Sequence, residues 1–198
     1  MSSQTPDPGA CPAANGRRHR APVLRRSAAA TVIAATALAG VSLATASPAS
    51  AAGYRCTTSE KSIDDPAYSG PWADNWDFTV KICAKRSGSS VSTFAKVSWD
   101  GPVYGLDADV FDGAYFQLQV KKSVAGTDPV VKKANFYRLE PRLERADSWG
   151  DHNGSFTTPT ITYKAGHSKA LGDGELRLDF NNDGAGYSTH LFTASPVV

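Results

Sequence analysis

Apolar and polar residues alternate along Trp76–Lys85, and this alternation is the feature that most limits what the chain can fold into. Side chains of a β-strand point alternately to opposite faces, so a period of two predicts a strand with one buried face. The alternation resumes over Val91–Trp99 after Ser87–Ser90, a run of small residues typical of a turn. The two segments are therefore expected to form a β-hairpin, with Trp76 and Trp99 packed in the core.

Five further segments carry strand patterns, and turn-forming residues separate them. Pro159 interrupts one segment, which predicts an edge strand because proline lacks the N–H that a sheet ladder needs. The longest helix candidate, Pro141–Asp147, is shorter than two turns. The pattern predicts an all-β fold, an antiparallel β-sandwich of about seven strands. The five segments are Ala114–Val120, Val130–Leu139, Phe156–Tyr163, Glu175–Phe180 and Tyr187–Ala194.

Residues 1–51 have the composition of an export signal. Five arginines, with no lysine, precede an alanine-rich apolar run from Ala28 to Ala46, and Ala49-Ser50-Ala51 offers small residues for cleavage. These are the three parts of a secretory signal peptide. We therefore expect cleavage after residue 51, one β-sandwich domain over residues 52–198, and a secreted protein that is extracellular or associated with the cell wall. A retained membrane anchor is the alternative, since the apolar run is about long enough to span a bilayer.

Removal of this leader reverses the net charge. The whole chain has 21 basic and 19 acidic residues, but residues 1–51 hold five of the basic residues and only one of the acidic ones. The remaining domain therefore carries a net charge of about −2, with no basic excess to attract nucleic acid. No nucleic-acid partner is expected, and no membrane span after signal cleavage.

Cys56 and Cys83 are the two cysteines outside the leader, which contains Cys11. An even pair in an oxidising compartment predicts a disulfide. Cys83 falls on the polar face of the first alternating strand, and Gly53–Gly70 shows little strand pattern. The disulfide is therefore expected to lay the N-terminal segment across that face. A metal-binding or nucleophilic thiol is the alternative, although the pair has no Cys-x-x-Cys spacing.

Three segments of the domain resemble small secreted proteins of actinomycetes. They are Ser69–Phe78 (SGPWADNWDF), Cys83–Ser89 (CAKRSGS) and Ser98–Pro102 (SWDGP), and the arginine- and alanine-rich leader is similar too. The resemblance covers most of the domain and implies an exported, compact fold. It implies no activity and no catalytic residue.

Asp179, Asn181 and Asp183 form the most specific local pattern, Asp-x-Asn-x-Asp-Gly. Oxygen ligands at alternate positions around a glycine turn suit calcium. The twelfth position of an EF-hand loop needs a bidentate glutamate and is His190 here, so an EF-hand is excluded. Two interpretations stay open: a looser, structural calcium site, and a simple hairpin turn at Asn182-Asp183-Gly184.

Trp72 and Trp149 lie in loops that are rich in turn-forming residues and poor in other apolar residues. An indole ring held at the surface offers a flat face and an N–H donor, which on an extracellular β-sandwich suggests a sugar ligand. Tyr104 is a further candidate ligand-binding residue, and its loop, Gly101–Gly105, is a candidate contact surface for a protein partner. The alternative for the tryptophans is that they fold back over the edge of the core.

Residues 121–145 hold seven basic residues and three acidic ones. A hairpin between the third and fourth predicted strands would place Lys121 opposite Lys133 and Lys122 opposite Lys132. Like charges directly opposite are unfavourable, so these lysines suggest an anionic partner such as a cell-wall polymer. Protection of an exposed strand against aggregation is the alternative.

No catalytic motif is specific enough to name a reaction. The nearest approach to a nucleophile elbow, Gly166-His167-Ser168-Lys169-Ala170, lacks the strand-turn-helix setting of that motif. The sequence therefore favours a secreted, non-enzymatic binding domain for polysaccharide or cell-wall polymer. An extracellular protein-interaction factor, either an inhibitor or toxin-like, is the second hypothesis, and a secreted hydrolase is the third.

Overall fold

The computed structural model describes residues 53–71, 73–104 and 109–198. The expected leader, residues 1–51, and Trp72 lie outside the described residues. The described segments form nine β-strands, and one 3₁₀ turn and one short α-helix lie between the fifth and sixth strands. The elements are β1 (Arg55–Ile63), β2 (Trp76–Ser87), β3 (Ser90–Asp100), β4 (Phe111–Lys122), β5 (Val130–Phe136), the 3₁₀ turn (Tyr137–Leu139), α1 (Glu140–Leu143), β6 (Gly154–Thr157), β7 (Ile161–Lys164), β8 (Ala170–Phe180) and β9 (Ser188–Leu191).

These strands form two sheets in which neighbouring strands are antiparallel. The first sheet has the order β1-β2-β3-β6, and β7 also pairs with β3. The second sheet has the order β5-β4-β8-β9. Their apolar faces pack together, which confirms the predicted antiparallel β-sandwich. Within the described residues, no helix has the length and apolarity needed to cross a bilayer.

The alternation predicted from the sequence supplies the core. Trp76 and Phe78 of β2 are at most 1% exposed, and Trp99 of β3 is buried as well. Each large apolar side chain removed from water contributes about 1.5–3 kcal/mol to folding. The second sheet contributes seven buried apolar residues from β4 and β8 to the same core: Ala114, Phe116, Leu118, Val120, Leu176, Leu178 and Phe180.

The N-terminal segment forms a strand, so the expectation of little strand structure there is wrong. β1 pairs with β2 along its whole length, from Arg55 opposite Ala84 to Ile63 opposite Trp76. It is an edge strand, and Ile63 is its one buried residue. The side of the strand that carries Ile63 also carries the polar Thr57, Ser59 and Lys61, none of them fully buried, so the sequence shows no apolar alternation there.

The predicted disulfide between Cys56 and Cys83 is confirmed, with a Cα–Cα distance of 4.1 Å. The two cysteines are directly opposite each other on β1 and β2. The bond therefore joins neighbouring strands side by side within one sheet. The expectation that it lays the N-terminal segment across the face of the sheet is wrong, since that segment extends the sheet at its edge.

Pro159 divides the fifth predicted strand into β6 and β7, which both pair with β3 at the edge of the first sheet. Between them, Thr158 bonds Ala95 twice. Its N–H donates to the Ala95 carbonyl at 2.9 Å, and its hydroxyl oxygen accepts from the Ala95 N–H at 3.0 Å. The edge position predicted from the proline is confirmed.

The pairing of β4 with β5 differs from the predicted register. Lys133 is opposite Gln119 and Lys132 is opposite Val120, and the register then shifts before Lys121. A β-bulge of this kind offsets one strand against the other. The predicted pairs of opposed lysines are therefore wrong.

One of these lysines forms an ion pair, and another donates a hydrogen bond to a backbone carbonyl. Lys121 pairs with Asp173 on β8 at 2.5 Å, and Lys132 donates to the Thr162 carbonyl on β7 at 2.8 Å. Lys132 thus ties the edge strand β5 to the other sheet. These contacts favour the structural interpretation of the basic segment over the anionic-partner interpretation.

Two glutamates hold the start of β4. Glu144 accepts the N–H groups of Val110 and Phe111 at 3.2 and 2.8 Å, and Glu140 accepts the Ala114 N–H at 3.1 Å. A bulge at this point interrupts the pairing of β4 with β8, so these carboxylates satisfy backbone donors that the ladder leaves free. The short helix α1 is therefore fixed against β4.

Replacing both Cys56 and Cys83 with serine is expected to lower the free energy of unfolding by about 3–4 kcal/mol, because the bond cross-links positions 27 apart in sequence. Denaturant unfolding would measure the change. A reductant should destabilise the wild type and leave the double variant unaffected. Equal stability of the two oxidised proteins would contradict a stabilising disulfide.

Candidate ligand-binding face

The outward side of the second sheet is the strongest candidate for a functional site, and we call it the outer face. The period of two that turns Phe116 and Leu118 of β4 into the core turns the residues between them outward. The strand register then brings outward residues of β5 and β8 alongside them. The outer face consists of Tyr115, Gln117, Gln119, Asn135, Tyr137, Glu175, Arg177 and Tyr187.

A chain of hydrogen-bonded amides crosses this face. Gln119 Nε2 donates to Gln117 Oε1 at 2.9 Å and to Glu175 Oε1 at 3.0 Å. Gln117 Nε2 donates to Asn135 Oδ1 at 2.8 Å, and Asn135 Nδ2 donates to the Tyr137 hydroxyl oxygen at 3.2 Å. Side chains from three adjacent strands, and from the turn after β5, are thereby fixed relative to one another.

The two glutamines are buried although they belong to the outward side of β4. Gln117 is 8% exposed and Gln119 is 3% exposed. Within the described residues, the Gln119 Oε1 atom is buried and has no hydrogen-bond partner. An unpaired buried amide oxygen costs about 1–3 kcal/mol, so stability alone does not explain this arrangement.

The charged groups beside the amides are paired. Arg177 donates to Glu175 Oε2 from Nε at 3.2 Å and from Nη2 at 2.7 Å. Lys121 and Asp173 form the second ion pair of this part of the sheet. Both pairs remain partly exposed, so each contributes little to stability, and their main effect is to orient the side chains.

Three tyrosines form a continuous aromatic surface at one end of the outer face. The Tyr115 ring centroid lies 4.9 Å from that of Tyr137 and 5.2 Å from that of Tyr187. Tyr137 is 56% exposed and Tyr187 is 45% exposed. Gly113 makes room for this cluster, because a Cβ atom there would lie 2.1 Å from the Tyr187 hydroxyl oxygen.

The phenol of Tyr187 keeps its proton at physiological pH. Partial loss of hydration raises the pKa of Tyr187, and the nearby carboxylates of Glu140 and Asp179 raise it further. A phenol whose pKa lies above its usual value keeps its proton, so it can donate a hydrogen bond. Chemically, the outer face combines flat rings, neutral amides and a phenol donor.

Of the two sequence-predicted ligand residues that the structure describes, Trp149 is the more exposed, at 84%. Its loop is ordered by Asp147, whose Oδ1 accepts the N–H of Trp149 at 2.7 Å and that of Asp151 at 3.1 Å. Asp151 in turn forms a β-bridge with Val103, which is 63% exposed. Trp149 and Val103 therefore belong to one exposed loop region, separate in sequence from the outer face.

Tyr104 is a packing residue in this structure. Its hydroxyl donates to Asp65 Oδ2 at 2.9 Å, and its ring lies 5.7 Å from His152 and 6.2 Å from Trp76. Burial raises the pKa of the Tyr104 phenol. The side chain thus anchors its loop to the core. Its proposed ligand role stays a prediction, as do those of Trp149 and of Trp72, which is outside the described residues.

The predicted calcium residues lie at the end of β8 and in the turn that follows it. Asp183 Oδ1 accepts a backbone N–H from two residues further on at 2.7 Å, and Asn181 donates its amide to the Asp109 carbonyl at 3.2 Å. Asn182 and Gly184 have φ angles of 62° and 68°, as hairpin turns require. Turn chemistry therefore explains Asn181 and Asp183 without a metal.

Asp179 is the remaining residue of that pattern. Desolvation raises the pKa of its carboxyl group, and the carboxylates of Asp112 and Asp183 add to the shift. In the described part of the chain, no group of three or more His, Cys, Asp or Glu side chains is placed to hold a metal ion. Calcium at Asp179, Asn181 and Asp183 stays a prediction.

The outer face is not among the sites predicted from the sequence. A usable signal was present: Tyr115, Gln117 and Gln119 occupy successive outward positions of one strong strand pattern. Which residues meet them from β5 and β8 depends on the register. Glu175 and Asn135 could therefore not be added without the structure.

Comparison with known proteins assigns no function to this face. The chain matches no protein family, no curated protein and no solved structure. The interpretation of the outer face therefore depends on its geometry and chemistry.

A calcium site at Asp179, Asn181 and Asp183 predicts that 10 mM calcium raises the free energy of unfolding by about 1.4–2.7 kcal/mol, the gain for a site with a dissociation constant near 0.1–1 mM. Thermal unfolding with calcium and with a chelator would measure it. Magnesium at the same concentration is the ionic-strength control, and Asp179→Asn should abolish the calcium effect. Identical unfolding temperatures in calcium and in chelator would contradict the metal interpretation.

Proposed function

We propose that this protein is a secreted, non-enzymatic binding domain whose outer face binds polysaccharide, either extracellularly or at the cell wall. The observation that carries the proposal is the contact of two exposed tyrosine rings, Tyr137 and Tyr187, with the half-buried ring of Tyr115, beside a row of fixed amides. Aromatic rings offer a flat apolar surface to the C–H face of a sugar, and amides and phenols bond to its hydroxyls. The outer face supplies both kinds of contact on one surface.

The rigidity of the site supports the same proposal. Its amide and charged side chains lie on paired strands, and hydrogen bonds hold them before any ligand arrives. Binding to such a surface costs less conformational entropy than binding to a mobile loop. Four neighbouring strands at about 4.8 Å spacing make a surface about 14 Å across, which suits an extended chain better than a single small molecule.

The disulfide supports the extracellular setting. Cys56 and Cys83 are bonded between adjacent strands. Structural disulfides form and persist in oxidising compartments. The bond thus agrees with the secretory signal expected from residues 1–51 of the sequence.

Alanine in place of Tyr137 or Tyr187 is expected to weaken retention on polysaccharide about 10-fold or more, because each change removes an exposed ring from the aromatic surface. The measurement is a pull-down of the purified, disulfide-bonded protein on insoluble cellulose, chitin, xylan and purified cell walls, with and without calcium. Tyr54→Ala is the matched control, since Tyr54 is partly exposed and its ring packs on Phe94 of the other sheet.

A sugar site at Trp149, as predicted from the sequence, would give a different result. If Trp149→Ala abolishes retention while Tyr137→Ala and Tyr187→Ala bind as the wild type does, the sugar site lies in the Trp149 loop and the outer face is not the binding surface. If the wild type is retained on none of these polymers, the polysaccharide proposal is wrong.

A protein-interaction function is the second candidate, and the exposure of Trp149 and Val103 favours it. Val103 also lines a groove of about 490 Å³, together with Ala73, Gly101 and Pro102. Exposed tryptophans are typical anchors of protein interfaces. A stoichiometric complex with a secreted protein, lost in Trp149→Ala and kept in Tyr137→Ala, would support this function over polysaccharide binding.

A hydrolase is the third candidate, and turnover distinguishes it from a binding domain. Glu175 is the carboxylate nearest the amide chain, but it bonds both Arg177 and Gln119. Sugar released from the retained polymer by the wild type, and lost in Glu175→Gln, would establish a hydrolase instead of a non-enzymatic domain.

A further inference from the structure

The direction of the hydrogen bonds on the outer face is fixed by a single carboxylate. Gln119 reaches Glu175 Oε1 at 3.0 Å, and Glu175 already bonds Arg177 through its other oxygen. A carboxylate that pairs with a guanidinium accepts hydrogen bonds and does not donate them. The atom of Gln119 that faces Glu175 is therefore the amide nitrogen.

The remaining directions follow from this one. The same Gln119 nitrogen lies 2.9 Å from Gln117, so the facing atom of Gln117 is its oxygen. The Gln117 nitrogen then donates to the Asn135 oxygen, and the Asn135 nitrogen donates to the Tyr137 oxygen. Every bond from Gln119 onward thus points toward Tyr137.

This arrangement leaves the Tyr137 hydroxyl as the donor at the end of the chain. Its oxygen accepts from Asn135, so its own proton points away from the amides. Hydrogen bonds in series polarise one another and strengthen the terminal donor. Tyr137 is also more than half exposed, and its ring contacts Tyr115. A ligand on the tyrosines would meet a strong donor at Tyr137.

The charges of the surface select the class of ligand. The outward positions of β4, β5 and β8 carry three basic and three acidic side chains. Two pairs of them, Lys121–Asp173 and Arg177–Glu175, are in contact, and the remaining two residues are Lys133 and Asp179. The surface therefore has no excess of cations to attract an anionic polymer.

We infer that the outer face takes an uncharged polysaccharide, one of whose oxygens accepts a hydrogen bond from the Tyr137 hydroxyl while the sugar ring packs on the tyrosines. This inference rests on the proposed function and specifies its ligand. It excludes phosphate-rich and uronate-rich wall polymers as the main ligand of this face.

Binding to neutral and anionic probes over a range of salt tests the inference. The neutral probes are cellulose, chitin and a soluble mixed-linkage glucan, and the anionic probes are polygalacturonate and poly(glycerol phosphate). We expect retention on at least one neutral probe, changing less than about 2-fold between 50 and 500 mM salt, since no counterions are released. Tyr137→Phe keeps the ring and removes the donor.

Tyr137→Phe should weaken binding to the neutral probe about 3- to 10-fold, the value of one hydrogen bond between neutral groups. Asn135→Ala, which leaves the Tyr137 side chain intact and removes the bond to its oxygen, should weaken binding by a smaller factor. Tyr54→Phe on the other sheet is the matched control and should bind as the wild type does. Thermal unfolding of each variant checks that the fold is unchanged.

The outcomes separate this inference from the proposed function. Salt-sensitive binding to the anionic probes with weak binding to the neutral ones would overturn the inference and leave the polysaccharide proposal standing. Equal affinity of Tyr137→Phe and wild type for a neutral glycan would overturn the role of the Tyr137 donor. Failure to bind any of the five probes would overturn both.

Discussion

The strand β4 imposes the constraint on which core and outer face both depend, because its residues alternate between the two. Phe116 and Leu118 are completely buried against the first sheet, so the register of β4 cannot slip by one residue without exposing them. The same register fixes Gln117 and Gln119 on the outward side. Packing of the apolar core therefore also holds the amide chain in place. A substitution at a core position of β4 would displace side chains of the candidate site as well.

A second constraint acts at the start of β4 and positions the aromatic end of the face. Glu140 and Glu144 bond backbone N–H groups around the bulge in β4. Tyr137 belongs to the 3₁₀ turn that runs directly into α1, so these bonds also restrain Tyr137 against Tyr115. Burial raises the pKa of Glu144, and the two backbone bonds oppose that shift by favouring the ionised form.

Much of the fold could be predicted from the sequence, since strands with one buried face leave a period of two. β2, β3, β4 and β8 were predicted for that reason, and the pairing of Cys56 with Cys83 followed from the cysteine count. β1 was missed because an edge strand that is mostly exposed has no apolar alternation. The lysine pairing was wrong because the turn between β4 and β5 is centred before Thr127, which places Val120 opposite Lys132 and Lys121 opposite Val130, and composition does not encode that register. The candidate site was missed for a related reason: it is made by the register between strands distant in sequence, which places Glu175 beside Gln119.

The amides of the outer face lie on paired strands, and this difference from a loop explains why the outer face is a stronger candidate than the Trp149 region. In a loop, each side chain must be ordered by its own local contacts, as Asp147 orders the backbone at Trp149 while the indole ring itself remains free. On the outer face, one ion pair orients Glu175, and Glu175 orients a row of amides that ends at Tyr137. The charged groups thereby fix the orientation of the neutral ones. The ligand then meets donors of fixed direction on a surface whose charges balance, and that combination suits a sugar chain, whose many weak hydrogen bonds depend on correct direction more than on electrostatic strength.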